Sequence, residues 1–162
     1  MLEVEITNGT IDSQNINKIL NNIKTIASQS FDYLLIDCAP TFGRITNEVI
    51  KLTDEIVVPS SMEQDSFKGL TNLINVLKAS NNESKLTYVV PTLFKSRTRL
   101  HNSMLEQWFI PLSNQENFKV SENKINDSIQ ASTELAISKL PLTLTKGRKR
   151  SKMVYFDLIK EM

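Results

Sequence analysis

Apolar positions change period several times along this chain, and each change marks an element. Ile16, Ile19, Leu20, Ile23, Ile26 and Ala27 recur at three- and four-residue spacing, which predicts a helix whose one apolar face covers a sheet. Leu34, Leu35 and Ile36 form a continuous apolar run, the pattern of a parallel strand buried on both faces, and predict a strand over 32–37. Residues 2–7 read as an earlier strand. Beyond 37 the pattern predicts a short helix near 44–52, a strand at 55–59, a helix at 66–79 and a strand at 86–91. This alternation predicts an α/β fold, a mostly parallel twisted sheet with helices on both faces. Pro59 and Pro91 fall at strand ends, where the missing donor is tolerated. Residues 98–110 predict a helix stopped by Pro111, and Phe118 and Val120 suggest a short strand in the polar stretch 112–124. Internal repeats and low-complexity linkers are absent, and the pairs Asn21-Asn22 and Asn81-Asn82 read as solvated helix and loop.

The first candidate for chemistry follows from the 32–37 strand. Its last residue, Asp37, would emerge at the carboxyl edge of the sheet, where open α/β sheets bind ligands. A carboxylate there can hold a hydrated magnesium ion beside nucleotide phosphates, the task of the Walker B aspartate in P-loop NTPases. An aspartate at that place equally serves as a cap for the next turn or helix.

The residues that follow decide between the two. The stretch DCAPTFGRITNEVIKLTDEIVVPSSMEQDSFKGL, residues 37–70, closely resembles the ParA family of plasmid and chromosome partition ATPases. The matching positions are Asp37, Pro40, Gly43 and Thr46, then Val58-Pro59, Glu63 and the pair Gly69-Leu70. PTLFKSRTRLHNSML (91–105), Leu140–Leu144 and the closing YFDLIKEM (155–162) resemble the family's later strands and terminal helix, so the likeness spans nearly the whole chain. It implies magnesium held through water at Asp37, and a switch loop that includes Cys38, Pro40, Gly43 and Thr46. It also implies a nucleotide base beside Pro91 and Thr92, with ATP and Mg2+ as cofactors.

One family feature has no counterpart. The glycine-rich loop with Lys and Ser or Thr, whose amides cradle phosphates, is missing: the four glycines are Gly9, Gly43, Gly69 and Gly147, and no two share a loop. The chain enters the family pattern partway, with LEVEIT at 2–7 matching the strand before the Asp37 strand. The expectation is a single ParA-like α/β domain over 1–162, the C-terminal portion of the family fold, N-terminally incomplete and not a competent ATPase alone. A sheet edge left without its first strand also predicts self-association.

Composition adds exclusions. With 162 residues and 40% hydrophobic content the chain can bury a sizeable core. It has no apolar run of membrane-spanning length and no signal peptide, so the expected location is cytoplasmic. One cysteine, Cys38, and one histidine, His101, exclude an internal disulfide and a Cys/His zinc cluster. Cys38 reads as a small packing residue and His101 as a helix-surface residue.

Charge supplies the second candidate. Residues 146–162 carry Lys146, Arg148, Lys149, Arg150, Lys152 and Lys160 against Asp157 and Glu161, a net +4 in a chain whose total is +1. Such a cluster can neutralise several DNA phosphates without reading bases, and it can also be a solvated helix start. The family resemblance implies nonspecific duplex DNA through basic residues near the carboxyl end. Here Asn126 and Gln130 stand where many relatives place arginine, so Arg148 to Lys152 would carry more of that load.

Two functional readings follow. In one, the chain is the greater part of a partition ATPase whose nucleotide state switches dimerisation and DNA binding. In the other it is a non-catalytic DNA- or partner-binding module on a degenerate ParA fold. The family resemblance implies a ParB-like centromere-binding adaptor, and a homodimer or pairing with a full-length relative. Met153, Val154, Phe156, Leu158 and Ile159 could form the apolar face of a membrane-binding terminal helix like that of the MinD cell-division ATPases or of a helix packed on the sheet; the packed helix, with no membrane partner, is the expectation.

Overall fold

The computed structural model describes residues 12–39, 41–127 and 149–162, with helix backbone alone over 149–152. These fall into two compact units that divide between Asp54 and Glu55.

In the smaller unit, helix α1 spans Ser13–Ala27 and helix α2 spans Arg44–Leu52. Asp12 starts α1 by accepting the Asn15 N–H at 2.8 Å, satisfying one of the orphan donors of the first turn. The side that α1 turns toward α2 is part polar: Ile16 is buried, Asn17 Nδ2 donates to Glu48 at 3.2 Å, and Lys24 donates to the Leu52 carbonyl at 3.2 Å and pairs with Asp54 at 3.3 Å. Ile19, Ile23 and Ile26 are exposed, which corrects the expectation that they cover a sheet. Among the described residues this unit contains no strand for them to cover.

The strand expected over 32–37 does not form. Its backbone runs without a ladder partner among the described residues, and Tyr33 and Leu35 are 86% and 92% exposed. An apolar run becomes a doubly buried strand only when hydrogen-bonded neighbours flank it, because an unpaired buried backbone costs more than the side chains gain. The strand expected at 2–7 and the Leu140–Leu144 strand lie outside the described residues.

The larger unit holds the parallel sheet of the expected α/β class. Strand β1 (Ile56–Ser61) leads to helix α3 (Gln64–Ala79), a 3-10 turn (Glu83–Lys85) and strand β2 (Leu86–Thr92). Helix α4 (Arg99–Met104), a π-helical turn (Leu105–Phe109), helix α5 (Ile110–Glu116), strand β3 (Lys119–Val120) and helix α6 (Lys149–Glu161) complete it. The sheet order is β1-β2-β3, all parallel, with Val58 opposite Val89 and Tyr88 opposite Lys119. β2 is the strand buried on both faces: Leu86, Tyr88, Val89, Val90 and Pro91 are all buried. Leu70, Ile74 and Leu77 form the buried stripe of α3, at the i, i+4, i+7 spacing that puts them on one face. Phe67 of the same helix meets Trp108 and Phe109 edge-on at 5.1 and 5.3 Å.

Pro111 does not stop the helix that precedes it. Proline removes one N–H and crowds the carbonyl four residues back, and the chain absorbs this by widening the turn before it, where the Ile110 N–H bonds to the Leu105 carbonyl. The helical path therefore continues to Glu116 and ends through Asn117, at φ 60 and ψ 42. His101 is also corrected: it is 4% exposed, its ring lies edge-on to Phe94 at 5.7 Å, and its Nδ1 accepts the Lys95 N–H at 3.2 Å. The connection from β2 folds under the helix start and closes over the imidazole.

Glu48 is a buried carboxylate held by Lys51 at 2.8 Å and Asn17 at 3.2 Å, and the Lys51 hydrogen bond, with help from Asn17 and the Lys51 charge, keeps its pKa below the ordinary value despite burial. Because the folded pKa lies below the unfolded one, this contribution is complete above the unfolded value and disappears as pH falls through the folded value. Glu48→Gln should cost about 1 kcal/mol at pH 7 in urea denaturation, and the gap from the parent chain should narrow as pH falls below about 4. A gap that stays constant from pH 7 down to pH 3 would contradict the assignment.

Gly69 offers a second check. It sits exposed in the interior of α3, and an added Cβ meets nothing within 4 Å. Gly69→Ala should therefore stabilise the chain by about 0.5–1 kcal/mol, measured as a higher urea midpoint at unchanged slope.

Candidate functional site

The carboxyl ends of β1 and β2 are level. Ser60 lies opposite Pro91 and Ser61 opposite Thr92, so two hydroxyl residues stand beside the two positions expected to meet a base. Ser61 Oγ lies 2.7 Å from Ser66 Oγ in the first turn of α3, which ties the β1 exit to the helix that follows. On the other side of β2 the Pro91 carbonyl accepts the Ile125 N–H at 2.8 Å, and the Phe94 N–H reaches the Ile125 carbonyl at 3.0 Å. Pro91 and Thr92 therefore occupy the middle of a three-stranded edge. The edge is also where the backbone is strained: Leu93, 59% exposed, has φ 49, a left-handed conformation that a branched side chain adopts at a cost. Nothing in the residue pattern signalled Leu93, because its strain is imposed by the Phe94 and Lys95 hydrogen bonds on either side of the turn.

The loop of the smaller unit holds the other set. Asp37 and Cys38 are exposed and lie in the non-strand segment. Partial burial and then the adjacent Asp37 charge push the Cys38 thiol pKa up, which disfavours the thiolate. The residue surface counts as exposed while its sulfur is partly covered, with Sγ 3.9 Å from the Ile36 carbonyl. Gly43 is the residue before α2, at φ −90 and ψ 178, and has open space at its Cβ position. Thr46 Oγ1 donates to the Thr41 carbonyl at 2.9 Å and closes the loop onto the first turn of α2. Pro40 lies outside the described residues. Gly43 and Thr46 are thus brought together at one helix start.

The basic cluster divides. Lys146 and Arg148 lie outside the described residues, whereas Lys149, Arg150 and Lys152 fall in the opening turns of α6, which has no acidic residue in its first turn. Its inward positions Val154, Tyr155 and Leu158 are half-buried, and Tyr88 Oη donates to the Glu161 carbonyl at 2.8 Å, so the helix is attached to the sheet. No described helix is long and apolar enough to cross a membrane.

The donor set can be tested against ATP and Mg2+. A magnesium ion that keeps most of its waters needs one carboxylate and the substrate phosphates rather than a cage, and Asp37 is an exposed carboxylate of that kind. Clusters of three or more His, Cys, Asp or Glu that could hold a metal are absent among the described residues. The phosphates are another matter. Neither described glycine, Gly43 or Gly69, lies in a loop whose successive amides converge, so the described residues fit the metal side of a nucleotide site but not a phosphate cradle.

Comparison with known proteins places this arrangement. The family model described as AAA domain matches residues 2–88. The ParA family protein of Mycoplasma pneumoniae is 27% identical over 139 residues, 83% of this chain and 51% of its own length. Sporulation initiation inhibitor protein Soj of Bacillus subtilis is 30% identical over 138 residues, 83% of this chain and 53% of its own. Chromosome partitioning protein ParA of Myxococcus xanthus is 25% identical over 109 residues, 65% and 37%. The chain spans about half the length of the curated relatives it matches first. No solved structure matches it. With a parallel α/β sheet, strand exits level at one edge and more than half its length matched, the chain belongs to the AAA domain family, among the ParA/Soj-type P-loop ATPases.

Proposed function

We propose that this chain is a DNA partition protein of the ParA type, which binds duplex DNA without sequence preference through Lys146, Arg148, Lys149, Arg150 and Lys152. The observation that carries the reading is the start of α6, where Lys149, Arg150 and Lys152 gather at a helix N-terminus with no acidic residue in the first turn. Basic side chains and the positive end of the helix dipole repel one another, and a phosphate backbone relieves both. Binding of this kind is salt-sensitive. If Arg148, Lys149 and Arg150 each meet one phosphate, their replacement by Ala should weaken binding uniformly across sequences and reduce the slope of log affinity against log salt by about 3. Fluorescence anisotropy with two unrelated duplexes at several salt concentrations measures this; an unchanged slope would remove the basic cluster from the interface.

In the same reading Asp37 holds hydrated magnesium, residues 38–46 sense the nucleotide, and Pro91 and Thr92 border its base. When bound, ATP and its metal supply the charge that such a loop responds to, and the residues of this chain orient that loop through the Thr46–Thr41 hydrogen bond. A ParB-like adaptor, self-association or pairing with a full-length relative, and a cytoplasmic, nucleoid-associated location complete the proposal.

The second reading, a non-catalytic DNA- or partner-binding module, is favoured by the exposed 32–39 segment, which has no ladder partner among the described residues, and by the lack of a phosphate cradle among them. Titration calorimetry separates the two. The chain by itself is expected to give no saturable magnesium-dependent heat with ATP. Heat that saturates in the parent chain and vanishes in Asp37→Ala would instead establish a nucleotide-operated switch.

A further inference from the structure

The turn that follows β3 gathers four hydrogen bonds on one carboxylate from the far end of the described chain. Glu161 Oε1 accepts the Glu122 N–H at 2.9 Å. Its Oε2 accepts the Asn123 side-chain amide at 2.7 Å, the Ser121 hydroxyl at 2.8 Å and the Asn123 N–H at 3.3 Å. Ser121 is 2% exposed and is itself fixed to the central strand, its N–H donating to the Val89 carbonyl at 2.9 Å. Its hydroxyl also has the Asn123 carbonyl within reach at 2.9 Å, but it carries one proton, and an ionised carboxylate is the stronger acceptor. Among the described residues no lysine or arginine pairs with Glu161. The described donors are neutral, and two successive main-chain N–H groups with a hydroxyl and an amide are the makings of an anion-binding concavity.

We propose that Ser121, Glu122 and Asn123 form an oxyanion socket, that Glu161 is its occupant, and that this contact is a releasable latch that sets the position of the last helix. The latch carries weight because α6 has modest apolar attachment: Val154, Tyr155 and Leu158 are only half-buried, and Met153, Phe156 and Ile159 are exposed. Glu161 is the last residue of α6, so breaking its contact frees the end of a helix rather than opening a core. Tyr88 Oη would still donate to the Glu161 carbonyl at that end. An emptied socket should accept a small carboxylate or phosphate, since either presents oxygens at carboxylate spacing to the same donors. That the helix so held starts with Lys149, Arg150 and Lys152 makes the latch a control on DNA contact, a consequence that rests on the DNA reading above; the latch itself does not.

Amide hydrogen exchange and amide chemical shifts of the whole chain at pH 7 test it without DNA. Glu161→Ala should speed exchange across 153–161 about tenfold or more, while the amides of β1 and β2 keep their protection. Sodium acetate or inorganic phosphate added to this variant should shift the Glu122 and Asn123 amides saturably, and should leave them unmoved in the parent chain, where the socket is filled. Unchanged helix exchange in Glu161→Ala, or no saturable shift, would overturn the proposal. Should Glu161→Ala not fold, Glu161→Gln keeps the shape and loses the charge; exchange equal to the parent's would overturn the latch, and an intermediate rate supports it. Loss of the salt slope prediction for DNA would leave this outcome untouched.

Discussion

Strand β2 is the constraint on which the larger unit depends. It is flanked on both sides in parallel, by β1 and β3, and buried on both faces, so its seven residues can neither slip nor rotate without exposing Val89 and Val90 and breaking two ladders. Everything at the strand exits inherits its position from that rigidity. Pro91 and Thr92 end β2, Ser60 and Ser61 are held level with them by the register, and the chain beyond β3 returns to bond Pro91 and Phe94. A strained residue such as Leu93 persists there because the structure on both sides of it is overdetermined.

The legibility of the fold in the sequence follows the same logic. Elements whose burial partner lies close in the chain were readable: α2, β1, α3 and β2 sit within about two residues of where periodicity places them, and the parallel class follows from their alternation. The 32–37 segment was misread because its apolar run states a preference for burial, while a strand needs neighbours that no local pattern guarantees. Pro111 was misread because a proline rule describes the local hydrogen bond and not the packing of Phe109 against Phe67, which holds the helix together across the widened turn. His101 was misread because the loop that covers it is six residues away and lacks any periodic signal.

The candidate site divides in a comparable way. Asp37 stands out at the end of an apolar run and Gly43 and Thr46 through the resemblance to the ParA family; in the structure Thr46 Oγ1 donates to the Thr41 carbonyl. The Ser121–Asn123 turn carries an ordinary loop signal, three polar residues in a row, and Glu161 an ordinary helix-surface signal. Only a contact across about forty positions makes them one feature, and a single sequence holds no trace of such a pairing.

Helix α6 gives these observations a common physical cause. A helix is stabilised by acids near its N-terminus and bases near its C-terminus, each by about 0.3–1 kcal/mol, yet α6 starts with Lys149, Arg150 and Lys152 and ends on Glu161. Its charges oppose its own dipole, and Lys160 offsets only part of the excess at the far end. Such a helix is held by groups outside itself. At its carboxyl end the compensation is in place, four donors that spread the Glu161 charge and hold its pKa below the ordinary carboxylate value although burial pushes the other way. The helix is therefore anchored at its carboxyl end, where the Ser121–Asn123 turn beside strand β3 holds the Glu161 carboxylate.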